Sequence, residues 1–192
     1  MAKSANLLVD GLGSPRRIGL LLPLHWQAVA LLLAGVTTKA TVVLASSPGE
    51  LSDCGAAFVL AADAEAALDA GVDEVLVLSD HPLGAPAGPL PAMAQDYARE
   101  VPSYADHYGG PRPASARIEV AGQAVAPAPG LVPADRLLTT LSLVEGAGSL
   151  LGALAAGAGL VLLRGGGATK VAADERVTVT AGVDVPDLRR QV

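Results

Sequence analysis

The 192-residue sequence predicts an α/β fold, with a mainly parallel layered sheet built from two related βαβ halves. Three observations support this prediction. Short apolar strands alternate with helical segments, the strands are almost continuously apolar, and one strand–helix–strand pattern occurs twice. Near-continuous apolar strands are typical of a sheet covered on both faces. Because 51% of the residues are hydrophobic and only 3% aromatic, the core must be built from Ala, Leu and Val.

The first part of the chain alternates regularly between the two kinds of element. The predicted elements are a helix over Ala2–Leu12, a strand over Ile18–Leu22, a helix over Trp26–Thr37, strands over Thr41–Leu44 and Ala57–Leu60, a helix over Ala64–Ala70 and a strand over Glu74–Leu78. Asp63 is the expected N-cap of the Ala64–Ala70 helix, and Gly71 is expected to end it.

The middle of the chain is rich in Pro and Gly and predicts mostly irregular structure. We expect irregular stretches at 81–91 and Tyr104–Pro113, a helix over Met93–Glu100, a β-hairpin over Ile118–Val125 and a linker over 126–133. The alternation then resumes with a strand over Leu137–Leu141, a helix over Glu145–Ala156 and strands over Leu160–Leu163 and Val177–Thr180. This predicts a first half at 1–110, an irregular linker or hairpin at 111–133 and a shorter second half at 134–192, or all three packed as one domain.

An internal repeat explains the two halves. Arg17–Ser46 aligns without gaps on Arg136–Gly165, and both segments share the order Arg, strand, turn, helix, tight connection, strand. We therefore predict a duplicated βαβ unit.

Charge and composition exclude several classes of protein. A net charge of −6 and the absence of any basic run argue against a nucleic-acid-binding protein. The single cysteine, Cys54, excludes an internal disulfide and a cysteine-based zinc cluster. Asp10 and the turn at 13–15 argue against a signal peptide. The segments Ile18–Thr38 and Gly146–Leu163 carry no charge and reach membrane-spanning length, but a buried strand followed by a buried helix gives the same hydropathy. We expect a soluble, cytoplasmic protein.

The candidate ligand-binding residues follow predicted strands. His25 and Trp26 come just after the first strand, and Asp80 and His81 follow the fourth. In a parallel sheet, ligands bind at the carboxyl edge of the strands. One interpretation is a ligand-facing edge at which Trp26 stacks. The alternative is a helix N-terminus with Trp26 in the core and a solvated Asp-His pair.

Other motifs give weaker signals. Asp106 and His107 form a second Asp-His pair of undetermined role, and zinc would need three or four ligands, so we predict no metal site. The segment Gly165–Lys170 lacks the Gly before Lys that a Walker loop requires, which predicts a surface loop. Cys54 has no activating partner and is expected to be inert.

Several segments resemble, in the same order, the N-terminal region of the adenylate-forming (AMP-binding, acyl-CoA synthetase-like) superfamily. Arg17–Leu24 and Thr41–Ala45 resemble the family's "GDRVALLLPN" and "KAGAVVVPL" segments. Asp135–Leu163 resembles its second strand–helix–strand segment, and Ala172–Pro186 (AADERVTVTAGVDVP) resembles "IERERVTVLFGVPT". The chain also resembles a short actinobacterial branch of that superfamily. The resemblance implies an acyl-CoA synthetase N-terminal-domain-like fold.

The chain departs from the family where the chemistry is expected. The family's phosphate loop, "SGTTGxPKG", corresponds to Ile118–Gly130, which contains no Ser, Thr or Lys. The later "YGxTE" motif and the C-terminal half have no counterpart. We therefore predict a non-catalytic binding or assembly module without a catalytic residue or cofactor. The alternative is an acyl-activating ligase that retains partial binding of ATP, AMP or acyl-CoA. The apolar composition further predicts a twofold homodimer.

Overall fold

A computed structural model describes residues 1–110 and 117–191 of the chain. It divides into two compact units, Met1–Ala124 and Val125–Val192. Each unit contains a mainly parallel sheet with helices, which confirms the predicted fold class. Part of the predicted irregular stretch Tyr104–Pro113 and of the predicted linker or hairpin 111–133 lies outside the described residues, because both include positions from 111–116.

The first unit is built on a seven-stranded sheet in the order β5-β4-β3-β1-β2-β6-β7. All neighbouring strands are parallel except β6 and β7, which form the predicted antiparallel hairpin. The elements are α1 (Ala2–Asn6), β1 (Arg17–Leu21), α2 (Trp26–Thr37), β2 (Thr41–Leu44), β3 (Ala56–Leu60), α3 (Ala64–Asp69), β4 (Glu74–Leu78), β5 (Ala94–Asp96), α4 (Tyr97–Glu100), β6 (Arg117–Val120) and β7 (Gln123–Ala124). A π-helical turn at Leu7–Gly11 continues α1.

Two predictions for this unit are wrong in detail. The segment Met93–Glu100 is not one helix, because β5 pairs in parallel with the edge of β4 before the short helix α4 begins. Asp96 ends β5 and is the N-cap of α4: its carboxylate accepts a hydrogen bond from the backbone N–H of Ala98, at 2.9 Å. Asp63 occupies the N-cap position of α3 but makes no side-chain capping bond, since a 3₁₀ turn at Ala61–Asp63 precedes the helix.

The core of the first unit is aliphatic, as the composition predicts. Phe58, the only phenylalanine of the chain, is fully buried on β3 and meets Tyr97 edge-on, with ring centroids 5.9 Å apart. The other large side chains that are fully buried are Leu or Ile, among them Ile18, Leu20, Leu44 and Leu76. Burial of strands β1 to β4 is nearly continuous, as expected when helices cover both faces.

The second unit holds a four-stranded parallel sheet in the order β11-β10-β8-β9. Its elements are β8 (Arg136–Thr139), α5 (Ala147–Ala156), β9 (Gly159–Leu162), α6 (Ala168–Asp174), β10 (Val179–Ala181) and β11 (Arg189–Arg190). The sequence prediction missed α6 and β11 and began the third strand two residues early. Lys170 therefore lies on a helix and not in a loop, and it pairs with Asp174 one turn later.

Both faces of this smaller sheet are covered. Leu137 and Leu138 are adjacent on β8, so their side chains point to opposite faces. Leu137 packs with Ala153 of α5, whereas Leu138 packs with Ala172 of α6. Both leucines are completely buried.

The two segments aligned as a repeat are both strand–helix–strand units with adjacent parallel strands, β1-α2-β2 and β8-α5-β9. The pairing registers differ by one residue, because Arg17 lies opposite Thr41 whereas Arg136 lies opposite Gly159. The gapless alignment is therefore wrong beyond the helix, where the second segment is one residue shorter. The duplication itself stays a prediction.

The two uncharged segments form separate strands and helices. Among the described residues, no helix is long and apolar enough to cross a membrane.

Candidate functional site

A small pocket opens where strands of the first sheet end. Its lining comes from the residues after β1, the first turn of α2 and the ends of β3 and β4: Leu22, Pro23, His25, Ala28, Leu60, Leu78, Ser79 and Asp80. The strand order explains the position, since β2 lies on one side of β1 and β3 on the other. A crevice forms at such a switch point, outside the carboxyl ends of the strands.

Two of the four predicted site residues line this pocket. His25 is the N-cap of α2, and its Nδ1 accepts a hydrogen bond from the backbone N–H of Gln27, at 3.4 Å. Asp80 reaches the pocket from the loop after β4. A capping histidine and a carboxylate, 55 positions apart in the numbering, therefore meet at one edge because their strands run in parallel.

Trp26 lies beside the pocket and not in the core. It is 52% exposed, so the interpretation that buries it is wrong. Its indole Nε1–H donates a hydrogen bond to the carbonyl oxygen of Pro82, at 2.9 Å. The His25 and Trp26 rings are tilted at 39° with centroids 5.6 Å apart, which leaves much of the indole open to solvent.

His81, the fourth candidate, is exposed in the loop after β4. Its Nδ1 accepts a hydrogen bond from the backbone N–H of Leu83, at 3.2 Å. The imidazole therefore shapes the loop that faces Trp26, and it is not among the residues that line the pocket.

The pocket is narrow in this conformation. Its volume is about 10 Å³, which is room for one water molecule. A drug-sized ligand needs a cavity of several hundred cubic ångströms, on the order of 300 Å³ or more. A larger ligand therefore fits only if the pocket widens.

A second polar cluster occupies the opposite, amino edge of the sheet. Glu119 on β6 is buried and accepts hydrogen bonds from Arg17 Nη2, at 2.9 Å, and from Arg117 Nε, at 2.5 Å. These hydrogen bonds lower the pKa of Glu119 below its ordinary value, and the bond from Arg17 has the largest effect. Arg17 also pairs with Asp53, its Nε 2.9 Å from the carboxylate. The charges compensate one another within the cluster.

Cys54 lies next to this cluster and is buried. Burial, followed by the charge of Asp53, raises the pKa of its thiol to about 11. The thiol therefore stays protonated at neutral pH, which agrees with the expectation that it is inert.

The second unit contains a larger cavity, of about 170 Å³, lined by Pro129, Gly130, Leu131, Val179, Arg189, Arg190 and Gln191. Its two arginines already have partners. Arg189 pairs with Asp135 at 2.6 Å, and Arg190 pairs with Asp184 at 2.8 Å. Their charge is compensated, so the cavity is not a strong anion site.

The remaining Asp-His pair is tied to the N-terminal helix. Asp106 forms an ion pair with Lys3, at 3.4 Å, and the carbonyl oxygen of His107 accepts a hydrogen bond from Asn6. Neither residue lines the pocket at the carboxyl edge.

Sequence reasoning missed two residues near the pocket. Ser79 lines it, and the buried Gln27 lies directly below the loop after β4. A signal for Gln27 was present, because an amide within the uncharged segment Ile18–Thr38 needs a hydrogen-bonding partner when buried. Ser79 carries no such signal.

Comparison with solved structures confirms the resemblance at the level of the fold. The chain matches a Brucella canis acyl-CoA synthetase with a TM-score of 0.72 and 15% identity, over 94% of this chain and 40% of that one. It matches the N-terminal domain of Mycobacterium tuberculosis FACL13 with a TM-score of 0.65 and 18% identity, over 94% and 53%. The chain thus has the fold of acyl-CoA synthetase N-terminal regions and spans about half of these structures or less.

No protein-family model matches the sequence. A protein of Mycobacterium tuberculosis strain H37Rv, described as a TIGR03089 family protein, is 40% identical over 176 residues, which cover 83% of this chain and 71% of the relative. Identity at this level over most of both chains shows common family membership. The chain therefore belongs to the TIGR03089 family.

Proposed function

We propose that the chain is a non-catalytic binding module that takes a small nucleotide or acyl ligand at the carboxyl edge of its first sheet. The observation that supports this proposal is the convergence of His25 and Asp80 on one pocket, with the exposed Trp26 beside it. The pocket walls are largely aliphatic (Leu22, Leu60, Leu78), and His25, Ser79 and Asp80 are the polar residues of the lining. Apolar walls with a few polar groups are typical of ligand sites.

The segment that corresponds to the phosphate loop supports a non-catalytic role. Ile118–Gly130 contains no Ser, Thr or Lys. Its first part belongs to the β6–β7 hairpin, whose strands pair from Glu119 to Ala124. A phosphate-binding loop needs free backbone N–H groups and hydroxyls around the anion, and strand pairing occupies part of this backbone.

The second candidate is an acyl-activating enzyme with partial nucleotide or acyl binding. The fold favours it, because the solved neighbours include acyl-CoA synthetases. In this case the missing phosphate-binding groups must come from outside this chain. Pyrophosphate exchange with ATP and a panel of carboxylic acids separates the two candidates. We expect no exchange, and an activity that copurifies with the protein would favour the enzyme.

Binding is tested by thermal shift with ATP, AMP and octanoyl-CoA. A ligand at one hundred times its Kd stabilises the folded state by about 2.7 kcal/mol, which is a clear shift in Tm. His25→Ala and Asp80→Ala should abolish the shift. His107→Ala and Asp106→Ala are matched controls from the other Asp-His pair, and they should retain it. Equal effects of both pairs, or no shift with any of the three ligands, would contradict the proposed site.

We also propose that the chain forms a homodimer through the free edge of β9. Among the described residues no strand pairs with the outer side of β9, whose four residues Gly159–Leu162 are half-buried, apolar and uncharged. Soluble proteins usually protect such an edge with charges or proline. Antiparallel pairing of two identical edges would cover it with twofold symmetry.

Light scattering at micromolar concentration tests the dimer. We expect twice the chain mass of 19.1 kDa. Leu162→Lys should give the monomer, whereas Val132→Lys, at an exposed valine outside strand β9, should remain dimeric. A wild-type mass of one chain would reject the proposal.

A further inference from the structure

A short segment covers the first turn of α2 at the carboxyl edge of the first sheet. This cap segment, Pro82–Ala87, contains no helix or strand. Isolated hydrogen bonds hold it: Trp26 Nε1–H donates to the carbonyl oxygen of Pro82, and the Ser79 hydroxyl donates to that of Ala85. The backbone N–H of Ala87 donates to the Asp96 carboxylate, at 3.0 Å. Leu83 is 83% exposed, whereas Ala87 at the end of the segment is half-buried and packs against the core. Deep apolar burial therefore does not fix the segment.

The side chain of Gln27 lies directly beneath this segment. Gly84 has a φ of +70°, and a Cβ added there would lie 2.5 Å from Gln27 Nε2 and 3.2 Å from Oε1. The backbone of the cap segment therefore rests on the amide, and only glycine permits both the backbone conformation and the contact.

The side-chain carbonyl of Gln27 is buried without a hydrogen bond. The residue is 5% exposed, and among the described residues nothing donates to its Oε1. A buried carbonyl without a donor makes the closed arrangement less stable. When the cap segment opens, water can donate a hydrogen bond to this carbonyl. Natural cores rarely keep such a group unless it serves another purpose.

We propose that Gln27 is a ligand-recognition residue and that the cap segment opens to admit a ligand whose N–H or O–H group donates to the Gln27 carbonyl. Trp26 releases Pro82 in the same movement, which frees its indole to cover a flat or apolar part of the ligand. This inference rests on the proposed binding function at the carboxyl edge.

Hydrogen exchange tests the cap segment without any ligand. Gln27→Leu keeps the side-chain size and removes the unbonded carbonyl, so the closed state gains stability. We expect exchange of the backbone amides of Leu83, Gly84, Ala85 and Ala87 to slow about tenfold and Tm to rise by about 2–4 °C. Gln95→Leu is the matched control, because the amide of Gln95 already donates to Glu74 at 2.8 Å; it should lower Tm. A Gln27→Leu variant that lowers Tm or leaves exchange unchanged would overturn the proposal.

Two glycine variants separate the contact with Gln27 from backbone strain. Gly84→Ala is strained and strikes the amide, whereas Gly88→Ala, with a φ of +89°, is strained but meets nothing within 4 Å. Trp26 is the only tryptophan, so acrylamide quenching of its fluorescence reports on opening. We expect quenching to rise in Gly84→Ala and not in Gly88→Ala. Equal quenching in both variants would show that the contact with Gln27 does not hold the cap segment.

Binding of AMP by isothermal titration gives the last readout. Gln27→Leu should weaken AMP binding about tenfold or more while it raises Tm, a combination that a purely structural role would not produce. Unchanged AMP binding in Gln27→Leu, with loss of binding in His25→Ala, would reject Gln27 and leave the proposed function standing. If AMP does not bind the wild-type chain, AMP recognition fails, and the exchange and quenching results still decide whether the cap segment opens.

Discussion

The two strand–helix–strand units, β1-α2-β2 and β8-α5-β9, differ most in their surroundings. In the first, β2 is covered on its outer side by β6, and its last three residues are buried. In the second, β9 is the outermost strand and all four of its residues are half-buried. The same local plan thus gives an interior strand in one sheet and an edge strand in the other. The neighbouring strand, and not the strand's own apolar sequence, sets its burial.

The arginine that begins each strand–helix–strand unit, Arg17 or Arg136, shows the same contrast between a buried and an exposed setting. Arg17 bonds to Glu119, which is buried, whereas Arg136 approaches Glu175, which is exposed, at 3.6 Å. Strand β6 supplies Glu119, and the smaller sheet has no strand at the equivalent position among the described residues. An arginine at a strand start is therefore part of a buried network only where the sheet continues.

The largest expected difference in stability is between variants of these two carboxylates, Glu119 and Glu175. Glu119→Gln should destabilise the protein by about 2 kcal/mol, less than the cost of about 3–5 kcal/mol for a fully buried pair because Arg17 is partly exposed. Glu175→Gln should change stability by less than about 0.5 kcal/mol. Urea unfolding of both variants measures the difference. Equal losses would mean that burial does not distinguish the two arginines.

Acid should remove the difference in stability between the wild type and Glu119→Gln. The folded-state pKa of Glu119 is lowered, first by its hydrogen bond from Arg17, so its stabilising contribution is present above the ordinary glutamate pKa of 4.5. It is lost as the pH falls below that value through the lower pKa of the folded state. Unfolding of wild type and Glu119→Gln at a series of pH values should converge there. A gap that persists in strong acid would show that the loss is due to packing and not to charge.

The connections after the two helices give a smaller effect. Lys39 and Gly157 occupy the same left-handed position, with φ of 68° and 69°, and in each case the next N–H bonds back to a helical carbonyl: Ala40 to Gly35, and Ala158 to Ala153. Gly157→Ala should cost about 1 kcal/mol, and Lys39→Gly should gain up to about 1 kcal/mol. Thermal unfolding measures both. If Lys39→Gly destabilises instead, the lysine side chain contributes more than its backbone strain costs.

Much of the fold follows from local sequence patterns. The helix Trp26–Thr37 and the strands Thr41–Leu44 and Glu74–Leu78 have the predicted bounds, because apolar periodicity and flanking turns define them locally. Strand β5 could not be predicted in this way. Its three residues, Ala94–Asp96, extend only because the edge of β4 offers backbone partners.

The candidate site divides in the same way. Asp80 and His25 could be selected from the sequence because both follow predicted strands, and parallel pairing then brings strand ends to one edge. For Gln27 the sequence indicated only a polar group within an apolar segment, and for Ser79 it gave no signal, since the contacts of both depend on the path of the irregular loop after β4. Exposure of Trp26 was likewise open, because an indole at a helix start can face either the core or a loop.

The sequence by itself determined the α/β class, most strands and helices and the aliphatic core, since these depend on local periodicity and composition. The likeness to acyl-CoA synthetase N-terminal regions came from the order of several resembling segments. The tertiary structure alone decided the strand order, the one-residue offset between the two strand–helix–strand units, the burial of Glu119 and the closure of Pro82–Ala87 over Gln27. Each of these joins residues far apart in the chain, so no local pattern encodes it. Such contacts form only when the sheet assembles.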